Sequence, residues 1–207
     1  MITLNMKQGT DEWKRARLGI PTASQFHRII TAKTLKPSAS AQGYLHQLLA
    51  EWMLGEPLDE GAETPWMVRG TALEDEAVRW YELQRDATTT EVGLCLLDDR
   101  SAGCSPDRLV GADGGLEIKC PSAAVHVGYL LGDPSKDHYA QVQGALWITG
   151  RQWWDVLSYN PSMPQALIRV ERDEEFIAAL AEGVAALTER MSQAKQILIR
   201  RGYASAA

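Results

Sequence analysis

Residues 105–119 read SPDRLVGADGGLEIK, and this stretch decides how the chain is expected to fold around its polar residues. Two β-type runs, residues 102–110 and 115–120, flank the glycine-rich segment 111–114. Short runs of this kind on either side of turn-forming residues are typical of a β-hairpin. The sequence therefore predicts two antiparallel strands joined by a tight turn.

The hairpin gives its polar side chains a common face. Because side chains alternate along a strand, Glu117 and Lys119 share one face while Ile118 turns into the core. The turn brings that face back towards Asp107. We therefore expect two carboxylates and one ammonium group to converge.

Such a cluster favours metal-assisted hydrolysis. Carboxylate oxygens are hard ligands that suit Mg²⁺ or Mn²⁺, and these ions also bind phosphate oxygens. A neighbouring lysine can orient or deprotonate the attacking water, as phosphodiester hydrolysis requires. The alternative is a surface hairpin with an ordinary Glu-x-Lys pair, which is common on exposed strands. The residues by themselves leave both interpretations open.

The surrounding pattern predicts a mixed α and β protein. Strands are expected at residues 88–97, 102–110 and 115–120, forming a three-stranded meander, and at residues 153–159 and 166–170. Helices are expected after Thr10, from residues 22–24 through Ile30, from Tyr44 to Gly55, from Gly70, at residues 135–148, and after Asp173. The fold class is α/β (α+β), with a mixed sheet.

Length and composition bound the possibilities. A chain of 207 residues with 45% hydrophobic and 23% charged residues suits one domain, residues 1–207. No membrane-spanning segment or secretory signal is read, so the expected location is cytoplasmic. The three cysteines, Cys95, Cys104 and Cys120, are an odd number without a close pair, which favours free thiols over disulfides or a four-thiolate cluster.

The charge is unevenly distributed along the chain. The net charge of the whole chain is −6, which argues against a nucleic-acid binder because phosphate groups attract basic residues. Residues 1–40, however, carry seven basic side chains against Asp11 and Glu12, whereas residues 51–100 carry thirteen acids against four arginines. A local basic surface for DNA is therefore compatible with the composition.

Longer motifs resemble a known family. Pro106-Asp107 followed by Glu117-Ile118-Lys119 resembles the PD-(D/E)xK nuclease signature. The wider pattern is similar to the lambda-exonuclease-like, YqaJ-type viral recombinase family. The matching stretches are Trp13-x-x-x-Arg17-x-Gly19-x-x-Thr22-Ala23-Ser24, Gly70-x-x-x-Glu74, Cys104 to Asp107, Gly115 to Pro121, Tyr139 to Gln143, and Glu171 to Glu174.

The resemblance implies a restriction-endonuclease-like core, with a central mixed β-sheet flanked by helices. It also implies that Asp107, Glu117 and the backbone carbonyl of Ile118 hold Mg²⁺, with Mn²⁺ as a possible substitute. Lys119 would serve the attacking water.

Two further residues are carried over to the catalytic centre. The resemblance implies that Glu74 approaches from its helix and that Gln141 touches the water or the phosphate. Gln143 lies about 200° away around the helix and cannot face the same centre.

The family also implies a pocket for a terminal 5′-phosphate, formed by Arg17, Ser24 and Ser105. A guanidinium forks onto phosphate oxygens, and the start of a helix offers free N–H groups. Trp66 and Met67 stand where the family has a strand-parting wedge, although Pro65 and Met67 depart from its pattern and core packing remains the alternative.

The implied activity is metal-dependent 5′-to-3′ exonuclease digestion of double-stranded DNA, leaving 3′ tails for recombination. The implied assembly is a homotrimeric ring that acts on DNA ends with a single-strand annealing protein. In such a ring the basic N-terminal region, with Arg17 and Arg28, would face the channel.

Two rival interpretations remain open. A PD-(D/E)xK endonuclease would share the metal site but lack an end-binding pocket, and a comparison of linear and circular duplexes separates the two. A non-catalytic DNA-binding module would show no metal dependence. A relative of the iron–sulfur nucleases is poorly supported by three scattered thiols.

Overall fold

The computed structural model describes residues 1–58 and 65–203, without the side chains of residues 65–68 and 71. The α-helices in these residues are α1 (Asp11–Ala16), α2 (Ala41–Leu54), α3 (Pro65–Arg85), α4 (Ala123–Leu131), α5 (Tyr139–Thr149) and α6 (Glu174–Arg200). Short 3-10 helices cover Ala23–Arg28 and Lys136–His138. The strands are β1 (Ile2–Leu4), β2 (Ile30–Thr31), β3 (Lys36–Pro37), β4 (Thr89–Thr90), β5 (Leu94–Leu96), β6 (Gly103–Cys104), β7 (Arg108–Val110), β8 (Gly114–Lys119), β9 (Trp153–Ser158) and β10 (Ala166–Glu171).

A mixed five-stranded sheet organises the molecule. Its strand order is β10-β9-β8-β7-β4, in which β8 and β9 are parallel and every other pair is antiparallel. Helices α5 and α6 pack on one face, and α3 packs on the other. The predicted fold class, a mixed sheet flanked by helices, is confirmed.

The predicted three-stranded meander is wrong in detail. The run 88–97 divides into β4 in the central sheet and β5 in a separate sheet of order β1-β5-β6. The run 102–110 divides in the same way, into β6 and β7. Gly93 marks the first break, where a Cβ atom would lie 2.2 Å from the carbonyl oxygen of Met6. Pro106 marks the second break, because proline lacks the N–H that a sheet interior uses.

Several helix predictions are corrected at their ends. The helix expected through Ile30 is a 3-10 helix that ends at Arg28, and Ile30 begins β2. Helix α5 begins at Tyr139 rather than at Ser135. Helix α3 begins at Pro65, a residue favoured at the first helical position, rather than near Gly70. Helix α4 was not predicted; the side chain of Ser122 accepts a hydrogen bond from its first turn.

The longest helix matches its prediction. Asp173 caps α6 by accepting a hydrogen bond of 3.0 Å from the N–H of Phe176. The apolar stripe is buried against the core at Ile177, Leu180, Val184, Leu187 and Met191. This packing face is what the spacing of three and four residues predicts.

Close packing places the 3-10 helix beside α5. Gly144 of α5 lies against Phe26, and a Cβ atom at Gly144 would come within 2.3 Å of the Phe26 ring. This contact brings Ser24 close to the face of α5 that carries Gln141.

None of the helices in the described part of the chain is both long enough and apolar enough to cross a membrane.

Candidate active site

The hairpin formed by β7 and β8 brings Asp107 to Glu117. Arg108 pairs with Leu116, and Val110 pairs with Gly114. Beyond Leu116, strand β8 is no longer paired with β7, and a side chain accepts the next backbone hydrogen bond on that edge of β8. Asp107 Oδ2 accepts a hydrogen bond of 2.5 Å from the N–H of Ile118.

Glu117 is the centre of the polar cluster. It is 4% exposed, and its Oε1 atom accepts hydrogen bonds from Lys119 Nζ at 2.6 Å and from Gln141 Nε2 at 2.7 Å. Ile118 points to the opposite face of the sheet, where it joins the cluster packed under α3. The alternation expected from the sequence is therefore present.

The charges in this cluster are not balanced. Burial, followed by the charge of Glu117, raises the pKa of Asp107 well above its usual value. Burial acts to lower the pKa of Lys119, but the charges of Glu117 and Asp107 outweigh it, and the net shift is upward. If both carboxyls were ionised, two buried negative charges would face one ammonium group.

A divalent cation fits this donor set. Among the described residues, no three His, Cys, Asp or Glu side chains lie close enough together to hold a metal. The protein ligands would instead be two carboxylates, those of Asp107 and Glu117, and one backbone oxygen. Mg²⁺ commonly binds through one or two carboxylates and keeps several waters, so this number of ligands suffices. Burial and the charge of Glu117 raise the pKa of Asp107, and a cation beside it would stabilise its charged form.

The carbonyl of Ile118 is on the appropriate side. In a strand, the N–H and C=O groups of one residue point to the same edge. The N–H of Ile118 points to Asp107, while the carbonyl of Lys119 points to the other edge and accepts from the N–H of Tyr159 at 2.8 Å. The carbonyl oxygen of Ile118 therefore faces the acids rather than β9.

Glu74 lies close to the cluster but bonds to an arginine. Arg108 Nη1 lies 2.9 Å from Glu74 Oε1 and 2.6 Å from the carbonyl oxygen of Asp107. Glu74 adds to the charges that raise the pKa of Asp107. Arg108 thus connects this helical acid to the Asp107 backbone, a link that the sequence did not indicate.

One cavity of about 170 Å³ joins the expected phosphate pocket to the acids. Its lining includes Arg17, Ser24, Ser105, Asp107, Glu117 and Gln141. Arg17 Nη2 donates to Thr22 Oγ1 at 3.3 Å, and its guanidinium lies 4.0 Å from the centre of the Trp13 ring. The two groups of residues, predicted separately, are contiguous.

Other predicted positions lie elsewhere. Gln143 is 1% exposed and turned away; its amide donates to the carbonyl of Glu171 and accepts from the N–H of Asp173. Arg28, which is expected to face the channel of a ring, donates hydrogen bonds to Gln25 and Gln47. The side chains of Trp66 and Met67, the candidate wedge, lie outside the described residues.

Two contributors were missed by the sequence interpretation. Gln8 Nε2 donates to the carbonyls of Pro106 at 2.7 Å and Val92 at 3.0 Å, and so holds the turn before Asp107. No sequence signal links residues so far apart. Burial, followed by the charge of Lys119, lowers the pKa of His138, which precedes Gln141 by three residues. Helical spacing from Gln141 was the signal that could have found it.

The cysteines are free, as expected, but two of them are close together. Cys95 and Cys104 face each other across β5 and β6, and both are buried. The absence of a close pair along the sequence therefore gave no guide to their separation in space.

Comparison with known proteins identifies the family. The model of the YqaJ-like viral recombinase domain matches residues 12–152, which include the hairpin, Glu74, Gln141 and the residues predicted to bind a terminal phosphate. The chain belongs to the YqaJ-like viral recombinase family.

Solved structures agree with this membership. The alkaline exonuclease LHK-Exo from Laribacter hongkongensis, solved alone and in complex with dAMP, is 34% identical. The match covers 93% of this YqaJ-like chain and 98% of that one, with a TM-score of 0.83. A phage-related exonuclease from Haemophilus somnus shares the fold, with 16% identity, a TM-score of 0.70 and coverage of 86% and 96%. A comparison with curated proteins returned no match.

Proposed function

We propose that this chain is a DNA exonuclease of the YqaJ-like family that digests one strand of duplex DNA from its 5′ end with Mg²⁺ and leaves a 3′ single-stranded tail. Mn²⁺ is a candidate substitute. Residues 1–207 would act as one nuclease domain.

The observation that carries this proposal is the continuity of one cavity. Arg17, Ser24 and Ser105 line it together with Asp107 and Glu117. A terminal phosphate held by the first group would leave the next phosphodiester close to the second. This arrangement favours removal of nucleotides from an end over cutting within a strand.

The chemistry follows from the two carboxylates. Asp107, Glu117 and the Ile118 carbonyl would hold the metal. When it is bound, Mg²⁺ offsets charge that develops on phosphate oxygens and lowers the pKa of water. Lys119 would orient the attacking water, since its Nζ atom lies against Glu117. Gln141 would hold Glu117 in position and touch the water or the phosphate.

The role of Glu74 is proposed to be indirect in part. Its carboxylate bonds to Arg108, which also donates to the Asp107 carbonyl. Through that contact Glu74 would hold the base of the Asp107 loop as well as contribute negative charge.

The assembly belongs to the same proposal. A homotrimeric ring would place basic residues along a central channel and leave the acidic middle of the chain outside. A single-strand annealing protein is the proposed partner, since it would take up the 3′ tail. Action in the cytoplasm is part of the same proposal.

The test is digestion of a linear duplex labelled separately at its 5′ and 3′ ends, with Mg²⁺ or EDTA and with or without a 5′-phosphate. A closed circular duplex is the control. We expect loss of the 5′ label first, only with metal and only on linear DNA. Cutting of the circle would support an endonuclease, and no cutting in Mg²⁺ or Mn²⁺ would support a binding module.

A further inference from the structure

Trp13 lies between two groups of the proposed phosphate pocket. It belongs to α1, one helical turn before Arg17, and lines the same cavity. Its indole Nε1 lies 3.0 Å from Ser105 Oγ and 3.0 Å from the carbonyl oxygen of Gly93. Its ring lies under the guanidinium of Arg17, at 4.0 Å. One side chain therefore contacts two of the three residues that are proposed to bind a terminal phosphate.

The contact with Ser105 determines the direction of a hydroxyl proton. A serine hydroxyl has one donor hydrogen and two acceptor positions. An indole N–H can only donate, so it occupies an acceptor position of Ser105 Oγ and cannot receive its hydrogen. The hydroxyl hydrogen must point away from Trp13, and Ser105 lines the cavity. An anion in the cavity would then meet a donor that is already oriented.

The contact with Arg17 determines the plane of a guanidinium. A guanidinium stacked on an aromatic face is attracted by the electrons of the ring and loses freedom to rotate. Arg17 Nη2 also donates to Thr22 Oγ1, and this hydrogen bond further restricts the orientation of the guanidinium group. A phosphate is bound best when the guanidinium fork is already in position.

We propose that Trp13 is a positioning residue of the terminal phosphate pocket, acting through the hydroxyl of Ser105 and the guanidinium of Arg17. This inference rests on the proposed function, because it assumes that the pocket binds a 5′-phosphate. It adds that discrimination between phosphorylated and unphosphorylated ends depends on an indole N–H that does not itself touch the phosphate.

A purely structural role is the competing explanation. The bond to Gly93 ties α1 to the segment before β5, so loss of Trp13 could weaken the fold without any special effect on the pocket. The measurement must therefore be one that a general loss of stability does not change. The ratio of the dissociation constants for duplexes with 5′-hydroxyl and 5′-phosphate ends, measured in EDTA, meets this requirement.

The variants separate the two contacts. Trp13→Phe keeps an aromatic face for Arg17 but removes the N–H, and it should lower the preference for phosphate ends roughly fivefold to tenfold, the scale of one hydrogen bond between neutral groups. Ser105→Ala should lower it similarly. The double variant should lose no more than Ser105→Ala does, because Trp13→Phe acts through that hydroxyl. Trp13→Leu should lose more than Trp13→Phe, and the difference should vanish when Arg17→Ala is also present.

Trp52→Phe is the matched control. Trp52 is also half-buried with a cation over its ring, Lys195 at 5.0 Å, but it does not line the cavity. Its replacement should leave the ratio unchanged.

Each outcome is informative. A wild-type protein with a clear preference, a reduced preference in Trp13→Phe and no added loss in the double variant would support the proposal. A preference that is unchanged in Trp13→Phe, or losses that add in the double variant, would overturn it while leaving the proposed function intact. A wild-type protein without any preference for 5′-phosphate would overturn both.

Discussion

The carboxylate of Asp107 accepts a hydrogen bond of 2.5 Å from the backbone N–H of Ile118, and so replaces a neighbouring strand at the edge of β8. Strand β7 pairs with β8 only as far as Leu116. The last residues of β8 therefore pair with β9 on one side and meet a side chain on the other. This fixes Asp107 beside Glu117 with a bond to the backbone, although the two acids repel each other.

Asp107→Asn should separate stability from activity. The pKa of Asp107 is raised in the folded chain, so its ionised form costs stability at neutral pH. Asparagine can still accept the bond from Ile118 but carries no charge. We expect the unfolding free energy in EDTA to rise, while cleavage is lost. Thermal unfolding with and without Mg²⁺ tests this, and the rise in Tm on adding Mg²⁺ should be smaller in the variant. A lower Tm in EDTA would contradict the repulsion.

Lys119→Ala should lower the cleavage rate by roughly 10² to 10⁴ while metal-dependent DNA binding stays close to that of the wild type. Lys119 Nζ lies 2.6 Å from Glu117, where it can serve the attacking water but is not needed to hold the metal. Single-turnover cleavage and a binding assay in Ca²⁺ measure the two effects. Lys136→Ala, which removes an exposed lysine, is the control. Full activity in Lys119→Ala would refute the role assigned to it.

Gln141→Ala should lower activity and Gln143→Ala should lower stability, although the residues are two positions apart on α5. Gln141 donates to Glu117, so its loss should lower kcat roughly tenfold with little change in Tm. Gln143 is buried and joins β10 to the start of α6, so its loss should cost about 1–3 kcal/mol of unfolding free energy. Kinetics and thermal unfolding of both variants check the contrast. Equal losses of stability would remove the distinction.

Arg17→Ala should reduce the preference for 5′-phosphorylated ends by roughly tenfold or more, since a charged hydrogen bond to phosphate is lost. Arg15→Ala is the control, because Arg15 lies on the same helix but is exposed. Initial rates on duplexes with and without a 5′-phosphate give the ratio. An unchanged ratio in Arg17→Ala would move the end-binding pocket elsewhere.

Glu74→Ala and Arg108→Ala should be coupled. Arg108 joins Glu74 to the carbonyl of Asp107, so each variant should lower kcat by roughly tenfold and the double variant should be no worse than the poorer single one. A double-mutant cycle on the cleavage rate measures the coupling. Additive losses would mean that Glu74 acts on the reaction independently of Arg108.

The sequence by itself determined what depends on neighbouring residues. Strand alternation and the turn at residues 111–114 were enough to put Glu117 and Lys119 on one face and to return that face to Asp107. The spacing of three and four residues similarly fixed the buried face of α6. These features depend on backbone periodicity, which a short stretch of sequence carries completely.

The tertiary structure decided everything that depends on residues far apart in the chain. Gln8 bonds to Pro106, Trp13 bonds to Ser105, and Glu74 pairs with Arg108 across separations of 34 to 98 residues. The sequence motifs named most of these residues but not their partners. The division of two predicted strands at Gly93 and Pro106 was decided in the same way, by the close approach of the N-terminal segment and by the lack of an N–H on proline. Contacts of this kind depend on how separate elements pack, and no local pattern encodes that packing.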